Sequence, residues 1–489
     1  MDINVAQLFQ TINLNVIMPE IILSVLGMAL LLVNVFVPSK SKGYLAWLSL
    51  IGIVGAGCAA ASGWGVSLES FSGSVVQDNF ATFFKIIFLV AAGLAVLITD
   101  QYIEREGCNH GEIYPLVLFT TVGMMLMASG TDLMTVFLGL ELMSISLYVL
   151  AGFNRDNIKS NEAGMKYFLL GAFSTGFLLY GMALVYGATG TTRINKIATI
   201  VTEMGAGATS NTMLFIGMLL ILTGFAFKIA AAPFHMWTPD VYEGAPTPIT
   251  AFMSAGPKAA GFAAMLRLLL VAFPVMKAEW SDLLWILAVL TMTIGNLTAL
   301  RQDNIKRMLA YSSIAHAGYA LVGFVAANAT GTSGILFYML SYAFMNIGAF
   351  AVIVLVGKQG EPNGTVMDFA GLAQKRPLLA AAMTLFLFSL AGMPPTAGFI
   401  GKFYLFSGAV QEGYIWLAII GVLNSAASVY YYLRVMVYMY FKPGDHEFDW
   451  VSVSAPVALA LVISAAGSLI PGIVPSVILQ FAQQAVKLI

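Results

Sequence analysis

The sequence predicts an all-α polytopic membrane protein. It has about fourteen transmembrane helices, ten of them in two five-helix units of inverted orientation, with segments seven and twelve discontinuous. Three observations lead there. Apolar residues make up 59% of the 489 and charged residues only 10%, against about 45–50% and about 25% in soluble domains. Stretches of ~20 apolar residues, enough at 1.5 Å per residue to cross ~30 Å of hydrocarbon, recur along the chain. Two of them exceed thirty residues and carry proline midway, which removes backbone hydrogen bonds and breaks or kinks a helix.

In order, the first three segments are 16–37, 44–62 and 79–99, an N-terminal group within residues 1–112. The first has no cleavage site behind it and reads as a retained helix, not a signal peptide. Segments 113–129, 131–151, 163–187, 211–243 and 246–273 make the first unit, residues 113–273; only Ser129-Gly130-Thr131 parts its first two members. Segments 281–300, 307–326, 333–357, 378–410 and 413–441 make the second, residues 281–441, and 452–475 lies in the C-terminal stretch 452–489. The 47 glycines suit helices that must approach closely in lipid.

Fourteen crossings put both termini on one side, and the basic residues orient them. Thirteen fall on one face: Lys40, Lys42, Arg105, Arg155, Lys159, Lys166, Arg301, Lys306, Arg307, Lys358, Lys375, Arg376 and Lys442. Arg193, Lys196, Arg267, Lys277 and Lys487 fall on the other. The positive-inside rule makes the richer face cytoplasmic, so both termini point outward. With 23 basic against 24 acidic residues there is no polybasic face for nucleic acid. Cys58 and Cys108 are the two cysteines, with no CxxC spacing; an iron–sulfur cluster normally needs four thiolates, so no redox cofactor is expected in this chain.

Beyond the eighteen basic residues assigned to the two faces, five remain within the segments. Lys85 and Arg434 lie near segment ends, within snorkelling reach of water. Lys228, Lys258 and Lys402 are central, and Glu141 sits ten residues from each end of segment five, ~15 Å from either surface. A charge at such depth costs roughly 2.5–3.5 kcal/mol on insertion scales and marks ion or proton pathways. The plainer reading is a structural ion pair, Glu141 with Lys228, but one carboxylate cannot pair three lysines. His316 adds a group whose ordinary pKa of ~6.5 suits a proton carrier, although a lone helical histidine is also a common packing residue; Tyr311, Ser312 and Ser313 beside it can hold water. The loop histidines His110 and His446 read as solvated.

Segment seven reads Phe-Lys228-Ile-Ala-Ala-Ala-Pro233-Phe-His235-Met-Trp-Thr-Pro239, and segment twelve Ala-Gly392-Met-Pro394-Pro395-Thr-Ala-Gly398-Phe-Ile-Gly-Lys402. A broken helix at membrane depth is tolerated only where it is buried or lines a wet cavity. The two lie five segments apart and therefore cross in opposite directions, as an inverted repeat requires. The same offset maps Glu141 onto His316.

These stretches, with Lys306-Arg-Met-Leu-Ala-Tyr-Ser-Ser-Ile-Ala-His316-Ala-Gly-Tyr, resemble the antiporter-like membrane subunits of respiratory complex I over nearly the whole chain. Within that family a lysine at 402 and an end soon after segment fourteen favour the branch called subunit N over M and L. The resemblance implies a role for each position. Glu141 modulates the proton affinity of Lys228, Lys258 connects the path, His316 lies on the central polar axis, and Lys402 stands near the outer exit. It also implies a bacterial inner-membrane protein among other membrane subunits of an NADH:quinone oxidoreductase. FMN and iron–sulfur clusters would then lie in partner subunits, and the quinone site on other chains. A multi-subunit cation/proton antiporter and a related membrane-bound hydrogenase share the scaffold and stay open, as does a purely structural scaffold.

Overall fold

Polar caps and turn glycines decide where the long apolar helices begin and end. The computed structural model describes residues 12–36, 42–360, 364–444 and 453–487; Lys40 and His446 lie outside them. The first helices are α1 (Met18–Phe36), α2 (Gly43–Ala61) and α3 (Asn79–Glu106). The Asp78 carboxylate caps α3 by accepting from Ala81 N at 2.7 Å, and Gly107 closes it at φ 70°, a left-handed turn that glycine makes without strain. Then follow α4 (Ile113–Ser129), α5 (Leu133–Ala151), α6 (Ile158–Thr189), and the pair α7 (Thr212–Lys228) and α8 (Thr238–Gly244) that share segment seven. The chain continues through α9 (Thr247–Arg267), α10 (Lys277–Ala299), α11 (Ile305–Ala326) and α12 (Ala329–Val356). Segment twelve is split into α13 (Pro377–Ala391) and α14 (Ala397–Gln411), before α15 (Ile415–Phe441), α16 (Ala455–Ile473) and α17 (Ser476–Val486). Asp132, Asn157, Asn211, Asn304 and Asn328 each cap the helix they precede.

Among the described residues eleven helices are long and apolar enough to cross a membrane, and shorter apolar helices occupy 113–129, 212–228 and 377–391. Both of the long proline-bearing segments are discontinuous, as expected. Residues between helices carry three features that apolar length did not signal. A two-stranded hairpin pairs Leu68–Ser70 with Val75–Gln77. An amphipathic helix, Ile194–Met204, buries Ile194, Ile197 and Val201. A π-turn, Leu268–Ala272, follows α9.

The loops gather at two ends. Lys42, Arg105, Lys159, Lys306 and Arg307 belong to one, where Arg105 bonds the carbonyls of Val354 and Gly357 and Arg307 bridges Asp240 and Glu243. The hairpin, the 194–204 helix and the π-turn belong to the other, where Val75 bridges Gly130 and Asp132 bridges Arg193. The most extensive helix pairings are α4 with α5, α10 with α11, α6 with α7, and α12 with α14. Glycine permits the closest of these: a Cβ on Gly123 would stand 2.5 Å from Met143 N and 2.6 Å from Gly139 O.

Two charged residues are placed otherwise than expected. Lys85 does not reach water: it is 2% exposed, and its ammonium pairs with Glu20 of α1 at 2.7 Å. Arg267 is no solvated loop residue. It is buried at the end of α9, chelates Asp78 at 3.0 and 2.9 Å and donates to Ala128 O at 3.0 Å. In each case a neighbouring helix start supplies the carboxylate, so burial is compensated locally.

Candidate functional site

The helix breaks leave backbone groups without helical partners, and nearby side chains take them up. Trp237 Nε1 donates to Phe227 O at 3.1 Å, and Ala232 N donates to Thr291 Oγ1 at 2.9 Å. At the second break Gly392 turns the chain at φ 85°, freeing the last carbonyls of α13. The Lys402 ammonium occupies that position, donating to Leu390 O and Ala391 O at 3.0 Å each and to Ser425 Oγ at 2.9 Å. It also lies 4.6 Å from the Tyr319 ring centre, a favourable cation–π distance.

Lys228 is the last residue of α7, ahead of its break, whereas Lys402 follows its own. The Lys228 ammonium donates to Ser144 Oγ at 2.7 Å and to Tyr148 Oη at 3.4 Å. The rings of Tyr148, Tyr167 and Phe227 surround it at 5.5, 5.9 and 5.9 Å. Glu141 lies three residues before Ser144 on the same face of α5. It is half-buried, and its Oε1 is buried with no hydrogen-bond partner among the described residues. No ion pair joins Glu141 to Lys228 among those residues, so the simple ion-pair reading is not what the geometry holds.

Lys258, on α9, donates to Ser313 O at 2.8 Å and Ser313 Oγ at 2.5 Å and lies 5.8 Å from the Tyr242 ring centre. His316 is fully enclosed in α11. Its Nδ1 pairs with Tyr338 Oη at 2.5 Å and its Nε2 with Tyr432 Oη at 3.0 Å, and Tyr432 also meets Ser312 Oγ at 2.5 Å. Tyr319 stands edge-on to the imidazole at 5.6 Å and receives a hydrogen bond from Asn296 Nδ2 at 3.0 Å. The three lysines are 4%, 3% and 4% exposed and His316 2%.

Among the described residues none of the five bonds another directly, and Lys228, Lys258, His316 and Lys402 each have a hydroxyl partner. Ser313 accepts from Lys258 and Ser312 meets Tyr432, while Tyr311 packs half-buried against the apolar core. Sequence reading missed Ser144, Tyr148, Tyr319, Tyr338, Tyr432 and Ser425. A signal existed for the first two, which follow Glu141 at the helical spacings of three and seven. None existed for Tyr432 or Ser425, which come from a distant helix. Among the described residues, no group of three or more His, Cys, Asp and Glu could hold a metal ion.

Residues 130–428 match the family described as NADH:quinone oxidoreductase/Mrp antiporter, transmembrane. The chain belongs to that family. The match takes in Glu141, Lys228, Lys258, His316 and Lys402. A full-length relative, NADH-quinone oxidoreductase subunit N of Trichlorobacter lovleyi, is 86% identical over 489 residues, 100% of both chains. Among solved structures, respiratory complex I from Thermus thermophilus has a chain that superposes with a TM-score of 0.79 at 34% identity, covering 94% of this chain and 98% of that one. A chain of an archaeal membrane-bound sulfane sulfur reductase superposes with a TM-score of 0.85 at 27% identity, covering 96% of each.

Proposed function

We propose that this chain is a membrane-arm subunit of a bacterial NADH:quinone oxidoreductase, working with other membrane subunits to move protons across the membrane as electrons pass from NADH to quinone. The 86% identity to a subunit N over the full length supports this reading above the antiporter and hydrogenase alternatives. The FMN and iron–sulfur clusters belong to partner subunits and the quinone site to other chains. The richer basic end faces the cytoplasm and the termini the outer side of the inner membrane.

One observation carries the role of the buried residues: three enclosed lysines, each bonded to hydroxyls or carbonyls and none ion-paired to a described carboxylate. A structural lysine would be matched by a charge; a transferring one needs acceptors that tolerate both its protonated and neutral forms. Hydroxyls do this, because they both donate and accept. Burial disfavours an ammonium and a nearby carboxylate favours it. A change in the charge near Glu141 is thus felt at Lys228. A proton released there passes through Lys258 and His316 to Lys402, with the two five-helix units each holding one broken helix of the path.

The test is purification of the tagged chain in mild detergent, followed by NADH:quinone reductase and proton-pumping assays on wild type and Lys228→Ala. The expected result is a large assembly with inhibitor-sensitive activity, in which Lys228→Ala assembles and pumps poorly. Recovery without NADH oxidation would instead favour the antiporter reading. Full pumping per assembled Lys228→Ala complex would overturn the relay.

A further inference from the structure

Three helices meet beside His316 and Lys402 in a polar layer that the path above does not use. Asn296 of α10 is fully enclosed there and reaches α11 and α15 at once. Its Nδ2 donates to Met292 O at 2.9 Å, to Tyr319 Oη at 3.0 Å and to Asn424 Oδ1 at 3.3 Å. Its Oδ1 accepts from Tyr431 Oη at 2.9 Å. Asn424 Nδ2 in turn donates to Ile420 O at 3.0 Å and to Thr293 Oγ1 at 3.4 Å. Each amide thus sets its nitrogen on the carbonyl four residues earlier in its own helix. A carbonyl can only accept, so neither amide can be turned over without setting oxygen against oxygen.

Asn296 therefore acts on two tyrosines in opposite senses. It donates to Tyr319, so the hydrogen of the Tyr319 hydroxyl must leave in another direction. Ser425 and Ser428 of α15 stand beside that hydroxyl. Both direct their own hydrogens to backbone, Ser425 to Ala391 O at 3.3 Å and Ser428 to Ser425 O at 2.6 Å, and so present oxygens that accept. Lys402 donates to the same Ser425 Oγ at 2.9 Å and lies over the Tyr319 ring at 4.6 Å. An aromatic face favours an ammonium, and this ring cannot turn its oxygen to the lysine while Asn296 holds it. Tyr431, by contrast, donates to Asn296. Its ring lies 4.4 Å from that of Tyr432, which bonds His316 Nε2 at 3.0 Å.

We propose that Asn296 is a positioning residue for Lys402 and His316. By fixing the direction of two phenol hydrogens, it keeps the Tyr319 ring face against the Lys402 ammonium and holds the Tyr431–Tyr432 pair against His316. The inference rests on the proton-translocating reading and names the side chain that sets the geometry at the Lys402 end of the path. An amide suits this task because it is neutral and offers both donor and acceptor. The hydrogen-bond order it imposes therefore survives each change of charge at its neighbours.

The experiment measures pumping per assembled complex in proteoliposomes for Asn296→Leu, Tyr319→Phe and the double variant, beside a high-resolution cryo-electron microscopy map of the wild-type complex. Tyr319→Phe should pump about fivefold more slowly, the effect of one lost hydrogen bond, and Asn296→Leu at least as slowly. The double variant should pump no more slowly than Asn296→Leu alone, because both changes release the same ring. Losses that multiply in the double variant would show that the amide only packs, and would overturn the proposal. Asn424→Leu leaves both bonds to the tyrosines in place and should pump like wild type; a loss equal to that of Asn296→Leu would assign the whole layer to packing. In the map Asn296 should lie within hydrogen-bond distance of both Tyr319 and Tyr431. Separation from either overturns the proposal, and this measurement decides if the variants fail to assemble. Wild-type pumping by Asn296→Leu beside a defective Lys228→Ala would sink the positioning role alone, whereas normal pumping by Lys228→Ala would sink the translocation reading beneath it.

Discussion

The Lys228 ammonium is held at 2.7 Å by the Ser144 hydroxyl, and among the described residues no ion pair joins it to Glu141, which lies one turn before Ser144 on α5. A lysine held by a hydroxyl keeps a partner in both of its protonation states. Ser144 itself donates to Leu140 O at 2.5 Å, so its oxygen is turned to receive the lysine's hydrogen.

Ser144→Ala removes that partner and nothing else of similar size. A hydrogen bond to a charged group contributes about 1.5–3 kcal/mol, so the variant should pump at least about tenfold more slowly per assembled complex. Proteoliposome pumping normalised to assembled protein checks this; an unchanged rate would show that Tyr148 alone suffices.

Tyr432 bridges Ser312 and His316 from α15. Tyr432→Phe keeps the ring packing and deletes only the bridge. Assembly and thermal stability should stay within about 1 kcal/mol of wild type, while pumping falls several-fold. Equal losses of stability and pumping would mean that the hydroxyl serves packing.

Gly123 faces Gly139 across the α4–α5 contact. Gly123→Val places side-chain atoms against backbone, which cannot yield as a flexible side chain would, so the helices must part. Overpacking typically costs about 1–3 kcal/mol and sometimes more, and the yield of assembled complex on native gels should drop sharply. Gly176, where an added Cβ meets nothing within 4 Å, is the matched control: Gly176→Ala should assemble normally.

Arg267 Nη2 donates to both carboxylate oxygens of Asp78, with side chains 6% and 5% exposed. Arg267→Met strands a buried carboxylate, and breaking such a pair by removing one partner costs about 3–5 kcal/mol. Asp78→Asn added to it should recover much of the assembled yield, because the amide oxygen can still cap α3 at Ala81 N while carrying no charge. No recovery in the double variant would show that the arginine's bond to Ala128 O matters more than its charge partner.

The apolar segment lengths and the two proline breaks were enough to locate the long apolar helices, because a segment that crosses lipid must satisfy its backbone internally and be apolar along its length. Depth was legible for the same reason: Lys228, Lys258, Lys402, Glu141 and His316 stand out because charge and polarity are costly there. What surrounds them was not legible. Ser425 and Tyr432 reach Lys402 and His316 from α15, Glu20 reaches Lys85 across more than sixty residues, and no local pattern announces such meetings. The hairpin at 68–77 and the 194–204 helix escaped because both are too short for apolar length to carry a signal. The sequence alone therefore determined the membrane class, the order of the apolar helices and which ionisable groups stand within them. Only the tertiary structure decided their partners, because hydrogen bonding depends on distance and direction between helices that are remote in the chain.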